Sequence, residues 1–317
     1  IAAQLLATRG HLAGARLLPL LDAADRWHAW FATARNDPKT GAIGVVHPWE
    51  SGRDNVPDWD SPLAAVSADN VTPFERRDLS HIDAAMRPTK AQYDRYIALV
   101  EFGRSVGWDQ VKLRDTSPFF VCDPGMTAIL MRAERALIAL SEANGRDDIA
   151  QTARTRLGDL EKGLDALWSD TLGAFTTLDT RTGHRGEYIS SASFLSFVAG
   201  PLDGAKTQAL TAHFDRMRDA CQYMVPSYDP AAPAFDEKRY WRGPVWLVVN
   251  WLIAMGFEER GDTDRAAKLR ADSHALVMTG GFHEYYSPLD GAPLGGGNFT
   301  WTAAAWLDWA RNTNGTD

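Results

Sequence analysis

Cysteine is nearly absent from this chain of 317 residues, with Cys122 and Cys221 its only two. They are far apart and in no CxxC spacing, which excludes a disulfide framework, a zinc ribbon or a dithiol redox motif. Both read as small buried hydrophobes. No block of Lys and Arg occurs and the net charge is −8. A nucleic-acid partner is therefore not expected, because phosphate binding needs a clustered basic face. Long apolar runs are also missing. Residues 244–257 (PVWLVVNWLIAMGF) form the longest, shorter than the roughly 20 residues of a membrane helix and interrupted by Asn250. A buried core helix is expected there, and no membrane partner. No His/Asp/Glu cluster has metal-ligand spacing, so neither a catalytic metal nor a cofactor is expected. No charged segment precedes an apolar one at the N-terminus, and no signal peptide is visible. A cytoplasmic location follows as an expectation. The chain starts with Ile1, and IAAQLLATRG reads as a helix already under way. A single domain over residues 1–317, lacking some N-terminal helices, is expected.

What the chain does have is apolar residues at 45% and charged residues at 23%, enough for a sizeable core and too few charges for a disordered chain. Apolar spacing of period 3.6 predicts helices over residues 1–7, 13–34, 91–106, 125–143, 147–168, 191–199, 205–221, 243–255, 263–278 and 300–309. Asp123-Pro124 supplies a cap and a proline for the first helical position. Strands are scarce: residues 174–178 followed by DTRTG are compatible with a short hairpin. Long irregular stretches at 36–90, 107–122, 223–242 and 280–298 hold most of the Pro, Gly and Asp. Loops of that length in a compact domain are usually functional. The fold class predicted is all-α, a toroid of helix pairs with its loops gathered at one mouth. No sequence repeat supports a solenoid.

Three segments could carry chemistry. The first, HPWESGRDNVPDWD at 47–60, is dense in carboxylates and tryptophan, suited to stacking on sugar rings and moving protons. A rigid surface loop would have the same composition. The second, GGFHEYYSP at 280–288 followed by GGGNFTW at 295–301, sets Glu284 among aromatics on a Gly-rich loop just after a helix, where backbone can approach a ligand. A solvated loop charge is the alternative. The third, RYWRGPVW at 239–246, stands at the start of an apolar helix, where anions are favoured. Its bland alternative is a helix entry packed by aromatics.

In that order, HPWESGRDN, RYWRGPVW and GFHEYYSP…LGGGNFTWTAA resemble glycoside hydrolase family 63, and within it the bacterial mannosylglycerate and glucosylglycerate hydrolases. Arg77-Asp78…His81-Ile82-Asp83…Met86-Arg87-Pro88-Thr89 and YMVPSYD at 223–229 share the resemblance, which runs over nearly the whole chain. It implies an (α/α)6 barrel of twelve helices, of which ten are predicted above. It implies that Asp54 is the general acid and Glu284 the general base of an inverting α-glycoside hydrolase. It also implies a substrate pocket built from Trp49, Glu50, Arg53, Asn55, Trp59, Arg87, Tyr240, Trp241, Arg242, Gly243, Trp246 and Trp301. Val56 stands where relatives are expected to carry a small polar residue.

Inversion needs an acid on the leaving oxygen and a base on an opposite-face water, with carboxyl groups roughly 6.5–9.5 Å apart. Asp54 must keep its proton near neutrality, so burial among Trp49 and Trp59 or a nearby Glu50 should raise its pKa. Arg53 pointed at Asp54 would do the reverse. By resemblance, Arg87 clamps an acidic aglycone such as glycerate through paired hydrogen bonds; the alternative is a structural bridge to Asp83 or Asp94. The partner expected is a small carbohydrate. Trp27, Trp30, Trp168, Trp251, Trp306 and Trp309 are read as core, and His47 and His283 as loop scaffolding. Three rivals remain: a glucosidase or trehalase acting on neutral oligosaccharides, a non-catalytic sugar-binding toroid, and a protein-interaction scaffold of helical hairpins, which predicts no convergent carboxylates at the mouth.

Overall fold

The computed structural model describes residues 1–80 and 82–311; His81, part of one resemblance motif, lies outside them. The fold is mostly helical, as the periodicity predicts. Its α-helices are α1 (Ala2–Thr8), α2 (Leu18–Ala34), α3 (Asp60–Ala64), α4 (Lys90–Ser105), α5 (Gln110–Thr116), α6 (Pro124–Glu142), α7 (Asp147–Ala166), α8 (Ser191–Ala199), α9 (Gly204–Ala220), α10 (Leu247–Glu259), α11 (Thr263–Gly280) and α12 (Thr300–Ala305). The short α3 and α5 fall in stretches read as irregular, because two turns are too few to register a period. α5 is nevertheless capped: the Asp109 carboxylate accepts the Val111 and Lys112 amides at 3.0 Å each.

Helices α6, α8, α10 and α12 lie side by side in that order, and α7, α9 and α11 pack behind α6, α8 and α10. The chain thus alternates between an inner and an outer layer. Sequence explains which is which. All nine residues of α8 are buried, and α10 is apolar on every side. The outer α7 and α9 carry charges on their free faces. α8 and α10 approach so closely that a Cβ on Gly256 would lie 2.5 Å from the backbone of Phe197. Phe194, Phe197, Phe214 and Phe257 interlock around this contact, with rings 4.6–6.5 Å apart.

The inner helices start at one end of the molecule. Asp123 caps α6, and Ser190 and Trp246 take the N-cap positions of α8 and α10. The long loops that precede these helices converge there. α10 starts later than the expected residue 243, because Val245 is extended and pairs with Pro226 and Tyr286. Short strands stitch the loops together. β1 (Gly44–Val45), β2 (Val121–Cys122) and β5 (Leu178–Asp179) form an antiparallel sheet in the order β1-β2-β5. β3 (Trp168–Ser169) pairs with β4 (Ala174–Phe175). The predicted turn after residue 178 closes through Gly183 N–H to Asp179 O at 2.8 Å.

A hairpin of β6 (His283–Tyr286) and β7 (Pro293–Gly297) carries Glu284. Glu284 therefore stands on a strand rather than on a Gly-rich loop, with a register shift between His283 and Tyr285. Gly295, at φ +67°, is required opposite it. A Cβ there would come within 2.6 Å of Glu284 Oε2 and 2.7 Å of the Tyr285 ring.

The core reading of the tryptophans needs correction at Trp27. Trp309 is buried, and Trp30, Trp168, Trp251 and Trp306 are half-buried. Trp27 is 56% exposed: the buried stripe of α2 is Leu21, His28 and Ala34, and Trp27 lies off it, stacked on Trp30 at 5.0 Å. Both cysteines are buried and free.

Candidate active site

The 47–60 segment forms a 3-10 turn, Pro48–Ser51, and places Asp54 beyond it. The turn starts at His47, whose Nδ1 accepts the Trp49 amide at 3.1 Å while Nε2 meets the Tyr96 carbonyl at 3.0 Å. Burial pushes the His47 pKa down to about 4, so a neutral ring with its proton on Nε2 satisfies both contacts. His47 is scaffolding. Tyr96 donates its hydroxyl to the Asp54 carbonyl at 2.7 Å and fixes the backbone there.

Asp54 points toward Tyr240, whose phenol lies 3.4 Å from Oδ2. The Tyr240 ring carries the Arg87 guanidinium at 4.6 Å. Arg87 in turn holds Glu284 with both ends, Nη2 to Oε2 at 2.6 Å and Nη1 to Oε1 at 3.3 Å. Two carboxyl groups remote in sequence thus meet around one tyrosine and one arginine. Glu284 Oε2 also accepts the Gly296 amide at 3.2 Å. Burial raises the Asp54 pKa to about 6, with the Tyr240 hydrogen bond and the Arg87 charge opposing and the Glu284 charge adding.

Arg53 turns away from Asp54. Its guanidinium donates to Asp123 Oδ2 at 2.8 Å and Ser190 Oγ at 3.3 Å, tying the acid's loop to the starts of α6 and α8. Glu50 does not serve Asp54 either. Arg35 grips it at 2.6 and 2.9 Å, and Oε2 also accepts the Val46 amide. Arg87 makes neither of the structural bridges considered above: Asp83 accepts the Ala85 amide and Asp94 pairs with Lys90.

Several residues expected to touch substrate lie one layer back. Trp59 is fully buried, and its indole N–H donates to the Arg53 carbonyl at 2.8 Å. Asn55, also fully buried, accepts the Trp241 amide at 3.0 Å. That bond pins the backbone next to Tyr240, which is held at φ +45°, a conformation costly for a non-glycine residue. Arg242 is engaged by Asp60 at 2.5 and 3.0 Å. Gly243 is needed for packing, since a Cβ there would meet the Asp236 carbonyl at 2.6 Å.

Trp241 and Trp246 stack at 4.0 Å, 6° from parallel, and Trp246 also faces Tyr285 at 5.0 Å. Trp49 is 42% exposed and packed on His47 and Tyr96, leaving ring area free. Trp301 opens elsewhere, onto an apolar cavity of about 470 Å³ lined by Leu5, Leu6, Val248 and Trp251. Three tyrosines at the site were not singled out in sequence. Tyr93 and Tyr96 sit one turn apart on α4, a spacing that reads as core. Tyr285 donates to the Met86 carbonyl at 3.0 Å, beside Arg87.

Residues 1–302 match the family model described as the mannosylglycerate hydrolase MGH1-like glycoside hydrolase domain. The chain belongs to this family. Mannosylglycerate hydrolase MGH1 of Selaginella moellendorffii is 42% identical over 90% of this chain and 59% of its own length. Glucosylglycerate hydrolase of Mycolicibacterium hassiacum is 34% identical over 90% of the chain and 65% of its length. The chain thus spans about three fifths of these MGH1-like relatives. A crystal structure of GH63 mannosylglycerate hydrolase from Thermus thermophilus in complex with Tris and D-glycerate superposes with a TM-score of 0.89. It is 40% identical and covers 92% of this chain and 71% of its own. Among the described residues no helix is long and apolar enough to cross a membrane.

Proposed function

We propose that the protein is an inverting α-glycoside hydrolase whose substrate is a small glycoside with an anionic aglycone, mannosylglycerate or glucosylglycerate. The observation that carries this reading is the pair Asp54 and Glu284. One carboxyl group has a pKa raised to about 6, and the other is paired with the Arg87 guanidinium at 2.6 Å.

In this reading Asp54 protonates the glycosidic oxygen as its bond to the anomeric carbon breaks. Glu284 takes a proton from the water that attacks the opposite face. The Tyr240 phenol, whose pKa burial raises well above the ordinary value, stays protonated and directs Asp54. Trp49 offers a ring face to the sugar, while the buried Trp241–Trp246 pair, expected to line the pocket, packs behind it. Arg87 is the one of these groups suited to a carboxylate on the aglycone, which favours glycerate over a neutral second sugar. The names of the relatives support the same choice and leave the epimer open.

The test is a panel of mannosylglycerate, glucosylglycerate, trehalose and p-nitrophenyl α-glucoside, with the product anomer followed by NMR. Turnover of a glycerate glycoside with the β-anomer appearing first is expected. Release of the α-anomer first, a preference for the neutral glycosides, or sugar binding without turnover would overturn the reading.

A further inference from the structure

Asp54 and Asn55 are neighbours on one loop, and Tyr240 and Trp241 are neighbours on another. The two pairs grip each other crosswise. Asn55 Oδ1 accepts the Trp241 amide at 3.0 Å, and the Tyr240 phenol lies 3.4 Å from Asp54 Oδ2. The carbonyl of the same Tyr240–Trp241 peptide accepts the Trp246 indole N–H at 3.1 Å. Both ends of one peptide group are thus held by side chains. Tyr240 stands at φ +45°, a conformation that a tyrosine keeps only where its surroundings fix it. Asn55 is fully buried, and its amide nitrogen has no hydrogen-bond partner among the described residues. A buried amide group with its donors unused is costly, and packing alone does not explain its presence.

We infer that Asn55 is a positioning residue: with Trp246 it clamps the Tyr240–Trp241 peptide in the conformation that aims the Tyr240 phenol at Asp54. This rests on the reading of Asp54 as the acid and deepens it. The groups whose charge or titration bears on Asp54 are Tyr240, Arg87, Glu284, Tyr93 and Tyr96. The Asn55 side chain is uncharged and hydrogen-bonds to none of them. Its influence on the acid therefore passes through Tyr240. Released from the clamp, Tyr240 relaxes toward negative φ and its phenol swings off the carboxyl group. Asp54 loses a donor that favours its ionised form, so it holds its proton more tightly. It also loses its aim at the glycosidic oxygen. Plain loosening of the loop has the opposite sign, because water reaching Asp54 relieves the burial that raises its pKa.

The test is the pH profile of kcat/KM on mannosylglycerate and glucosylglycerate. It compares the wild type with Asn55→Ala, Trp246→Phe, Tyr240→Phe and the double variant Asn55→Ala/Tyr240→Phe. Asn55→Ala should move the basic limb up by roughly half a pH unit to one unit, the size of one hydrogen bond to a carboxyl group. Its kcat should fall roughly tenfold while KM changes far less, the mark of a misplaced acid. Trp246→Phe keeps a ring and drops the N–H. It should move the limb the same way, and it decides the question if Asn55→Ala does not fold. In the double variant the limb should stand where Tyr240→Phe alone puts it, because the contact is already gone. A limb that stays put or falls in the folded single variants overturns the clamp while the hydrolase reading stands. So do shifts that add in the double variant, and so does a Tyr240→Phe limb that fails to move. A wild type with no basic limb, or one that turns over neither glycoside, overturns the assignment of Asp54 and the clamp with it.

Discussion

The phenol oxygen of Tyr240 lies 3.4 Å from Asp54 Oδ2, and this contact works against the burial that keeps Asp54 protonated. A hydroxyl donating to a carboxylate favours the ionised form. Removing it in Tyr240→Phe should therefore raise the Asp54 pKa above its value of about 6. Asp54 is the group that must hold a proton, so activity falls as pH rises through its pKa. The basic limb of the kcat/KM profile should move to higher pH in the variant, and a limb that moved lower would contradict the contact.

The two carboxyl groups should differ in what their amides do to stability. Asp54→Asn and Glu284→Gln should each reduce turnover by about 10² or more, the usual weight of acid–base catalysis. Asp54→Asn replaces a carboxyl whose charge is disfavoured by burial, so its melting temperature at pH 8 should equal or exceed that of the wild type. Glu284→Gln leaves the Arg87 charge buried without its counter-ion, a loss that costs about 3–5 kcal/mol at fully buried pairs. Glu284 and Arg87 are 7% and 8% exposed, close to that limit. Equal melting behaviour of the two variants would mean that the Arg87–Glu284 pair does not form in solution.

Gly295 offers a test away from the reacting groups. A methyl group there meets the Glu284 carboxylate, its Cβ and the Tyr285 ring, at a φ of +67°. Gly295→Ala should push Glu284 off its position and cost about 1–3 kcal/mol from backbone strain. The measurements are kcat/KM and the unfolding midpoint. Gly296, beside it, has open space around its Cβ position, so Gly296→Ala is the control that should change both far less.

These variants also show what was legible in sequence. The windows around Asp54 and Glu284 stand out in sequence by their carboxylates, glycine and aromatics, but composition leaves a surface loop equally open, and the resemblance alone assigns the two roles. The inner and outer helices are legible because most of them run for thirteen to twenty residues, enough to display a period. Tyr93 and Tyr96 are not, because an i, i+3 aromatic pair on α4 has the same pattern whether it faces a core or a cleft. Glu50 and Arg53 looked like substrate ligands because their neighbours did. Their partners Arg35 and Asp123 belong to other elements, and only the fold brings them within 2.9 Å. Trp59 and Trp301 show the same limit: stacking surface is a property of the residue, but exposure is set by what packs on it.

Asp58 carries a consequence for stability rather than catalysis. It is buried beneath the acid's loop, and Oδ1 has no hydrogen-bond partner among the described residues. Burial raises its pKa from 3.8 to about 6, against the opposing Arg53 charge and Ser190 hydrogen bond. A carboxyl group whose pKa is higher folded than unfolded stabilises the fold fully below the unfolded value. That contribution is lost as pH rises through the folded value. The window is therefore pH 4 to 6, and two pKa units correspond to about 3 kcal/mol. Asp58→Asn stays neutral throughout and escapes the loss. The difference in unfolding free energy, variant minus wild type, should grow by about that amount between pH 4 and pH 7. Urea denaturation at pH 4, 5.5 and 7 measures it. A difference that stayed flat, or shrank as pH rose, would mean that Asp58 is ionised and well paired in the folded protein.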